Sequence, residues 1–182
     1  MNIKLLVLDV DGTLTDGKIY MSANGELMKA FNIKDGYAIA HLREYGIEPV
    51  IITGRDSDIV KQRSNELGIT ELHQGVGNKL FCLRTICEKK GVSLTEVAYM
   101  GDDVNDLPCI QCCGQSSCPS DAVRIVKEKV NYICESKGGE GAVREYIEYL
   151  LNEQNLSFET SIENYSFQEI KYEVDPYINN HF

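Results

Sequence analysis

A short run of apolar residues near the start of the chain ends in two carboxylates. Leu5 to Leu8 are all apolar, and Asp9 and Asp11 follow at the end of the run. Such a run suits a strand buried on both faces of a parallel sheet, and side chains two apart on a strand point the same way. Both acids can therefore face one cavity, beside a turn at Gly12 and Thr13 that is expected to offer free backbone N–H groups to an anion. Open α/β sheets bind ligands at this end of their strands.

Strand-like and helix-like patterns then alternate along most of the chain. Further strands are predicted over residues 48–53, 69–74, 97–100 and 132–134. Helices are predicted over residues 37–45, 79–90, 121–129 and 142–151. A further helix is predicted to end at residue 67 after a cap at residue 56 or 57, and a short one to begin at residue 107. This alternation predicts an α/β fold with a doubly wound, mostly parallel sheet of the Rossmann-like type.

Residues 17–31 interrupt the alternation with a predicted β-hairpin. Two apolar segments flank Asn24-Gly25, the preferred pair for a type I′ turn. A two-stranded hairpin is at best marginally stable alone, so its apolar face needs a cover, either from its own domain or from a neighbouring subunit. With that turn, the cross-strand pairs on this face would be Met21–Met28 and Ile19–Ala30.

The composition is that of a soluble globular protein, with 43% apolar and 25% charged residues. The net charge of −10 argues against nucleic acid, which needs a basic surface, but not against an anionic substrate. No apolar run approaches the roughly 20 residues of a membrane span. Because the first ten residues also lack the pattern of a secretion signal, we expect a cytoplasmic protein without membrane contact.

Seven cysteines include a crowded group that invites a zinc or redox interpretation. No second CxxC pair accompanies it, and no histidine lies nearby in the sequence. We therefore expect free thiols that pack as small hydrophobic side chains. The group comprises Cys109, Cys112, Cys113 and Cys118.

A second set of acids, in the segment GDDVND at residues 101–106, follows the strand predicted at 97–100. Three acids within five positions repel one another unless a cation lies among them. An all-oxygen set without histidine suits Mg²⁺ rather than Zn²⁺. The segment therefore predicts a magnesium site.

DVDGT at residues 9–13 resembles the opening signature of the haloacid dehalogenase-like phosphohydrolases. The resemblance implies that Asp9 is the nucleophile that takes up the phosphoryl group, and that Asp11 is the general acid/base. Three later motifs occur in the family's order at predicted strand ends: Thr53-Gly54-Arg55, Lys79 and residues 101–106.

The resemblance also implies roles for the later motifs. Thr53 would hydrogen-bond the phosphoryl group, although a lone threonine there is more often a helix cap. Lys79 would neutralise the phosphoryl oxygens, although alone it would be a solvated charge.

The same resemblance implies a set of Mg²⁺ ligands. These are a carboxylate oxygen of Asp9, the backbone carbonyl of Asp11, and Asp102. Asp106 would act in the second shell or hold the lysine, and Asp103 has no assigned role.

The chain looks more narrowly like the 3-deoxy-D-manno-octulosonate 8-phosphate (KDO 8-phosphate) phosphatases, from Ile3 to about Leu151. The resemblance implies hydrolysis of an acidic sugar phosphate through an aspartyl-phosphate, no cap domain, and a homotetramer assembled by the hairpin. The matching segments are DGKIYM, NGE, FNIKDGYAI, ITGRDSDIVKQRSNELGI, QGVGNKL, AYMGDDVNDLP and GGEGAVRE.

Substrate-binding residues are also implied by this resemblance. Residues 138–145 correspond to a segment that folds over a neighbouring site, with Arg144 available to the sugar carboxylate. Gly54 gives clearance, while Arg55 and Arg63 match positions that meet substrate or the adjoining subunit. Arg63 could equally be an exposed helix charge.

Two features set this chain apart from the octulosonate enzymes. SSCPSDA at residues 116–122 is nearer to relatives that act on nine-carbon sugar acids, including domains beside sialic acid cytidylyltransferases. The alternatives are therefore a nonulosonate 9-phosphate phosphatase or a non-catalytic assembly domain, although such domains lose catalytic acids that are present here. A phosphomutase would need a cap.

The second feature is an acidic extension. Residues 1–151 form the predicted phosphatase core, and residues 152–182 carry six acids and one lysine. The extension holds too many apolar residues for a solvating tail, and residues 170–174 alternate like a strand. We expect it to dock on the body or on a partner.

Overall fold

Six parallel strands form the sheet on which the protein is built. The computed structural model describes residues 2–158, so the strand predicted at 170–174 lies outside the described residues. In chain order the strands are β1 (Leu5–Leu8), β2 (Tyr20–Ser22), β3 (Gly25–Met28), β4 (Glu48–Ile52), β5 (Glu71–His73), β6 (Val97–Met100), β7 (Gln115–Cys118) and β8 (Tyr132–Ile133). The order in the sheet is β5-β4-β1-β6-β7-β8, so β1 lies between β4 and β6, while β2 and β3 form a separate antiparallel hairpin.

Helices cover both faces of this sheet, as a doubly wound fold requires. They are α1 (Ile33–His41), α2 (Asp58–Glu66), α3 (Lys79–Lys90), α4 (Leu107–Ile110), α5 (Arg124–Lys127) and α6 (Ala142–Glu153). One core cluster joins α1, α2 and α6 to one face, and a second joins α3, α4 and α5 to the other. The predicted α/β architecture is therefore confirmed. None of the described helices is long and apolar enough to cross a bilayer.

The predicted hairpin exists, but its predicted register was wrong. Met21 lies opposite Glu26, and Met28 lies opposite Tyr20, with an irregularity in between. The turn falls at Ala23-Asn24 because Ser22 stabilises it there: its Oγ accepts from the Asn24 N–H and donates to the Gly25 carbonyl, both at 3.2 Å.

A type I′ turn needs positive φ at both central residues, and this turn does not have it. Within residues 2–158 the single non-glycine residue with positive φ is Asn155, whereas Gly25 has φ +112°. Glycine therefore follows the turn instead of sitting inside it. With the turn at Ala23-Asn24, Met21 pairs with Glu26, two residues from its predicted partner, so the predicted pairing of Met21 with Met28 is lost.

Strand β7 was not predicted, since its sequence QSSC lacks an apolar run. Ser116 and Ser117 are nevertheless buried, because tertiary partners satisfy their hydroxyl groups. Ser116 Oγ donates to Asn131 Oδ1 at 2.9 Å, and Ser117 Oγ lies 3.4 Å from Cys134 Sγ. All seven cysteines are free thiols.

Helix α1 begins at Ile33, four residues before the predicted start, with Asn32 as its cap. Its first turn contains Asp35, which is only 1% exposed. Asp35 Oδ1 accepts the N–H of Arg144 at 2.7 Å and so ties the start of α1 to the first turn of α6. Desolvation by burial raises the pKa of Asp35 in spite of this bond.

We expect Asp35→Ala to lower the free energy of unfolding by about 1–3 kcal/mol, because backbone donors at the start of α6 lose a buried acceptor. Urea denaturation measures the change, and Glu153→Ala at the exposed end of α6 is the matched control. Unchanged stability of the Asp35 variant would show that this link does not hold the two helices.

Candidate active site

A buried lysine joins two aspartates at the carboxyl ends of the central strands. Lys79, the first residue of α3, places Nζ 2.8 Å from Asp9 Oδ1 and 2.7 Å from Asp106 Oδ1. Asp9 is 5% exposed and Asp106 is fully buried. Burial alone would lower the pKa of Lys79, but the two aspartates outweigh it and raise the pKa. Lys79 is therefore a buried ammonium group, not a solvated charge.

Asp106 has donors on both carboxylate oxygens. Besides Lys79, the hydroxyl of buried Tyr99 donates to Oδ1 at 2.7 Å. Oδ2 accepts the backbone N–H groups of Asp102 at 3.2 Å and Asp103 at 3.4 Å. Asp106 thus holds Lys79, which is one of the two roles predicted for it. It also fixes the backbone of the loop after β6. Tyr99 was not predicted, since it reads as an ordinary core residue of the strand.

Asp102 completes a cluster of three carboxylates. Oxygens of Asp9, Asp102 and Asp106 all lie within 4.8 Å of one another. Burial, followed by the charges of its aspartate neighbours, raises the pKa of Asp102 to about 8. Burial and Asp106 likewise raise the pKa of Asp9 to about 6, against the opposing effect of Lys79. The carboxylates outnumber the ammonium groups, so the set favours a further cation.

The turn after β1 allows Asp102 to come this close. Gly12 has φ +93°, and a Cβ at this position would lie 2.1 Å from Asp102 Oδ2, so any other residue would be strained and would displace the Asp102 carboxylate. The free backbone N–H groups predicted here are not found at Gly12 or Thr13. Gly12 N donates to Thr15 Oγ1, and Thr13 N donates to the Val10 carbonyl, because the turn closes on itself.

Thr53 lies at the end of β4, beside β1 in the sheet, and is buried. Its backbone is bonded to the neighbouring segment: Thr53 N donates to the His73 carbonyl and Thr53 O accepts from Val76 N. A Cβ at Gly54 would lie 3.9 Å from the Val76 carbonyl oxygen, an ordinary van der Waals contact. The strand order therefore brings Thr53 to the same edge of the sheet as Asp9, although no contact between them tests its predicted role.

Asp11 is held by a charged cluster that was not predicted from the sequence. Lys29 forms an ion pair with Asp11 Oδ1 and lies 3.2 Å from Glu26 Oε1. Arg55 places Nε 3.7 Å from Asp11 Oδ2 and a terminal nitrogen 3.6 Å from Glu26. Burial would raise the pKa of Glu26, but hydrogen bonds from Ser57 and Lys29 outweigh it and lower the pKa. The sequence signal that was overlooked is the pair of charged residues, Glu26 and Lys29, in a hairpin whose neighbouring residues are mostly apolar.

Arg63 is neither at this cluster nor a simple exposed charge. Its side chain is 20% exposed, packs against Gly36, lies 5.9 Å from the Phe31 ring centroid and pairs with Glu66 at 3.2 Å. The structure thus places Arg63 between α1 and α2. A contact with a neighbouring subunit stays a prediction.

Arg144 also lies apart from Asp9 and Asp11 within this chain. Its Nε donates to Glu148 Oε1 at 2.5 Å, and its guanidinium lies 4.3 Å from the Phe158 ring centroid. The segment at residues 138–145 packs on the chain's own turn after β1, where Gly139 N donates to the Thr13 carbonyl at 3.1 Å. Contact of Arg144 with a substrate carboxylate stays a prediction, and it would involve a site on another copy.

Comparison with known proteins agrees with this geometry. Residues 70–147 match the family described as haloacid dehalogenase-like hydrolase. The 3-deoxy-D-manno-octulosonate 8-phosphate phosphatase KdsC of Escherichia coli (strain K12) is 46% identical over 150 residues, which cover 82% of this chain and 80% of that protein.

Solved structures give the same relationship. The phosphatase of that name from Moraxella catarrhalis, in complex with magnesium, phosphate and KDO, has a TM-score of 0.85 and 39% identity. It matches over 90% of this chain and 93% of the other. The cobalt-bound enzyme from Haemophilus influenzae has a TM-score of 0.86 and 37% identity, and the match covers 90% of this chain and 97% of that one. The chain therefore belongs to the haloacid dehalogenase-like hydrolases, within the 3-deoxy-D-manno-octulosonate 8-phosphate phosphatase family.

Proposed function

We propose that this protein is a Mg²⁺-dependent phosphatase that hydrolyses 3-deoxy-D-manno-octulosonate 8-phosphate to KDO and phosphate. The observation that carries the proposal is the cluster formed by buried Asp9, Lys79 and Asp106 with partly buried Asp102. A non-catalytic assembly domain has no use for buried charges that are costly to desolvate. Seven free thiols support a cytoplasmic location, because thiols persist in reducing compartments.

Asp9 is the nucleophile in this proposal. Its carboxylate attacks phosphorus in line with the ester oxygen and forms an aspartyl-phosphate, while the sugar alkoxide leaves. Lys79 lies 2.8 Å from Asp9, close enough to stabilise the phosphoryl oxygens as charge redistributes. Asp11 enters this step as the carboxylic acid, gives its proton to the departing oxygen, and as the resulting carboxylate takes a proton from the water that cleaves the intermediate.

The residues that would hold Mg²⁺ are Asp9, the backbone carbonyl of Asp11, and Asp102. Their fit rests on donor chemistry: the clustered ligand atoms are carboxylate oxygens, and Asp106 is already occupied by Lys79 and Tyr99. When bound, the ion neutralises charge on the phosphate and the carboxylates.

The substrate carries a carboxylate far from its phosphate, so a second cationic region is required. Arg55 is the predicted substrate-binding arginine that lies at the mouth of this chain's own site, with 42% of its side chain exposed. Thr53 and Gly54 line the same edge of the sheet, and we assign Thr53 to the phosphoryl oxygens. A nine-carbon sugar acid presents the same two anionic groups with a longer chain between them.

A substrate screen tests the proposed reaction. We expect phosphate release from KDO 8-phosphate with a kcat/KM at least about tenfold above that for nonulosonate 9-phosphates, and loss of more than about 10³-fold in kcat for Asp9→Asn, which lacks the nucleophile. Asp16→Asn is the control, since Asp16 lies on the same loop but pairs with exposed Lys18. Faster turnover of the nine-carbon substrates would show that a nonulosonate 9-phosphate is the preferred substrate. An active Asp9→Asn variant would show that Asp9 is not the nucleophile.

We also expect Mg²⁺ to stabilise the protein more at pH 8 than at pH 6. In the unfolded chain, Asp9 and Asp102 lose their protons near the ordinary aspartate pKa of 3.8. In the folded, metal-free chain their pKa values are raised, so they keep these protons to higher pH. Stability from these groups is therefore lost as the pH rises toward 8. Mg²⁺ binds the deprotonated groups and reverses the loss, so its increment in Tm should be about 2–4 °C larger at pH 8.

Calorimetry with and without EDTA measures this increment. Asp102→Asn serves as the control, because it removes one proposed ligand and should abolish the Mg²⁺ response. Equal increments at both pH values would show that Asp9 and Asp102 are not protonated in the metal-free protein.

We propose in addition that the protein is a homotetramer assembled through the hairpin. Its apolar side chains are not covered by the described part of the chain: Ile19, Met21, Leu27 and Met28 are between 48% and 61% exposed. Contiguous exposed apolar side chains of this kind mark interaction surfaces. Neighbouring subunits would also shield a site that has no cap domain within residues 2–158.

Replacing Met21 and Leu27 with Asp places two charges on this surface, so we expect dimers or monomers by light scattering and reduced activity. Ile125→Asp is the matched control, because Ile125 is 46% exposed on α5, away from the hairpin. A double variant with an unchanged mass would show that the hairpin does not hold the assembly.

A further inference from the structure

Lys29 is a buried cation on an exposed hairpin. Its side chain is 2% exposed, whereas Lys18, at the start of the same insertion, is 71% exposed. Removing an ammonium group from water is unfavourable unless well-placed partners compensate. A lysine directly after a surface strand can reach solvent without such a cost, so its burial requires an explanation.

The explanation lies in what Lys29 contacts. Its Nζ reaches across 18 residues of sequence to Asp11, and it also lies 3.2 Å from Glu26 on the hairpin itself. Glu26 is in turn fixed by the hydroxyl of Ser57, the residue that caps α2. A rigid element of the main domain therefore holds Glu26, Glu26 holds Lys29, and Lys29 holds the Asp11 carboxylate.

The second oxygen of Asp11 faces another cation of the same cluster. Arg55 Nε lies 3.7 Å from Oδ2, so its charge favours the rotation in which this oxygen faces the guanidinium. Asp11 is 21% exposed at the mouth of the site. A carboxylate there would otherwise sample several rotamers, and a proton donor must stay within hydrogen-bonding reach of one oxygen.

We propose that Lys29, held by Glu26, is a positioning residue that aims Asp11 at the oxygen of the leaving group. This inference rests on the proposed function, in which Asp11 protonates that oxygen. If Lys29 acts in this way, the loss of activity on removing it should depend on whether the leaving group needs a proton. An alkoxide such as a sugar oxygen departs only with a proton, whereas p-nitrophenolate is stable without one.

The test is Lys29→Met, which keeps the unbranched apolar part of the side chain and removes the charged amine. We expect kcat/KM to fall more than about 30-fold for KDO 8-phosphate, or for whichever alkyl phosphate the wild type hydrolyses best, and less than about threefold for p-nitrophenyl phosphate. The parameter kcat/KM reports the step in which the leaving group departs, so slow hydrolysis of the intermediate does not mask the effect. Glu26→Gln should show the same selectivity, and Lys18→Met should leave both substrates unaffected.

Selective loss on the alkyl substrate supports the positioning role. Equal losses on both substrates, or no loss on either, would overturn it, because a structural ion pair does not distinguish leaving groups. Glu26→Gln decides the question if Lys29→Met does not fold. A wild type that hydrolyses neither ester would instead overturn the proposed function, so the two failures are distinguishable.

Discussion

The ion pairs of Lys79 are the interaction on which the rest of the site depends. An ammonium group that is almost fully buried needs both Asp9 and Asp106, and each aspartate needs the lysine. Breaking a buried pair by removing one partner is strongly destabilising, since an uncompensated charge stays behind. The same charges oppose the metal-free state, because carboxylates still outnumber cations around Asp102. One polar centre therefore orders the strand ends and also creates the demand for a cation.

The sheet explains why this centre can be built from distant parts of the sequence. β1 lies between β4 and β6, so the residues after these three strands meet at one edge. Asp9, Thr53 and Asp102 come from these strand ends, and α3 delivers Lys79 from its first turn. Asp106 adds a second constraint, because it binds Lys79 with one oxygen and the backbone of residues 102 and 103 with the other. The position of the lysine and the shape of the loop after β6 are therefore coupled.

Features set by local sequence were predictable, and features set by tertiary partners were not. The buried β1 strand with its acids, and the acidic loop after β6, follow from patterns within a few residues. The register of the hairpin does not, because the Ser22 hydroxyl moves the turn away from Asn24-Gly25. β7 was missed since the burial of its serines depends on Asn131 and Cys134. The Asp11 cluster was missed for a related reason: its cations come from an insertion whose register was wrongly predicted, and from the loop after β4.

The hairpin connects the outside of the molecule to the turn after β1. Its outer apolar side chains, among them Met21 and Leu27, face solvent, while Glu26 and Lys29 contact the Ser57 cap and Asp11. An isolated two-stranded ribbon is marginally stable, so any partner that covers the apolar side chains also reduces the motion of the charged ones. The proposed assembly and the position of Asp11 then depend on one element. A fold without a cap can in this way make its chemistry depend on a neighbouring surface.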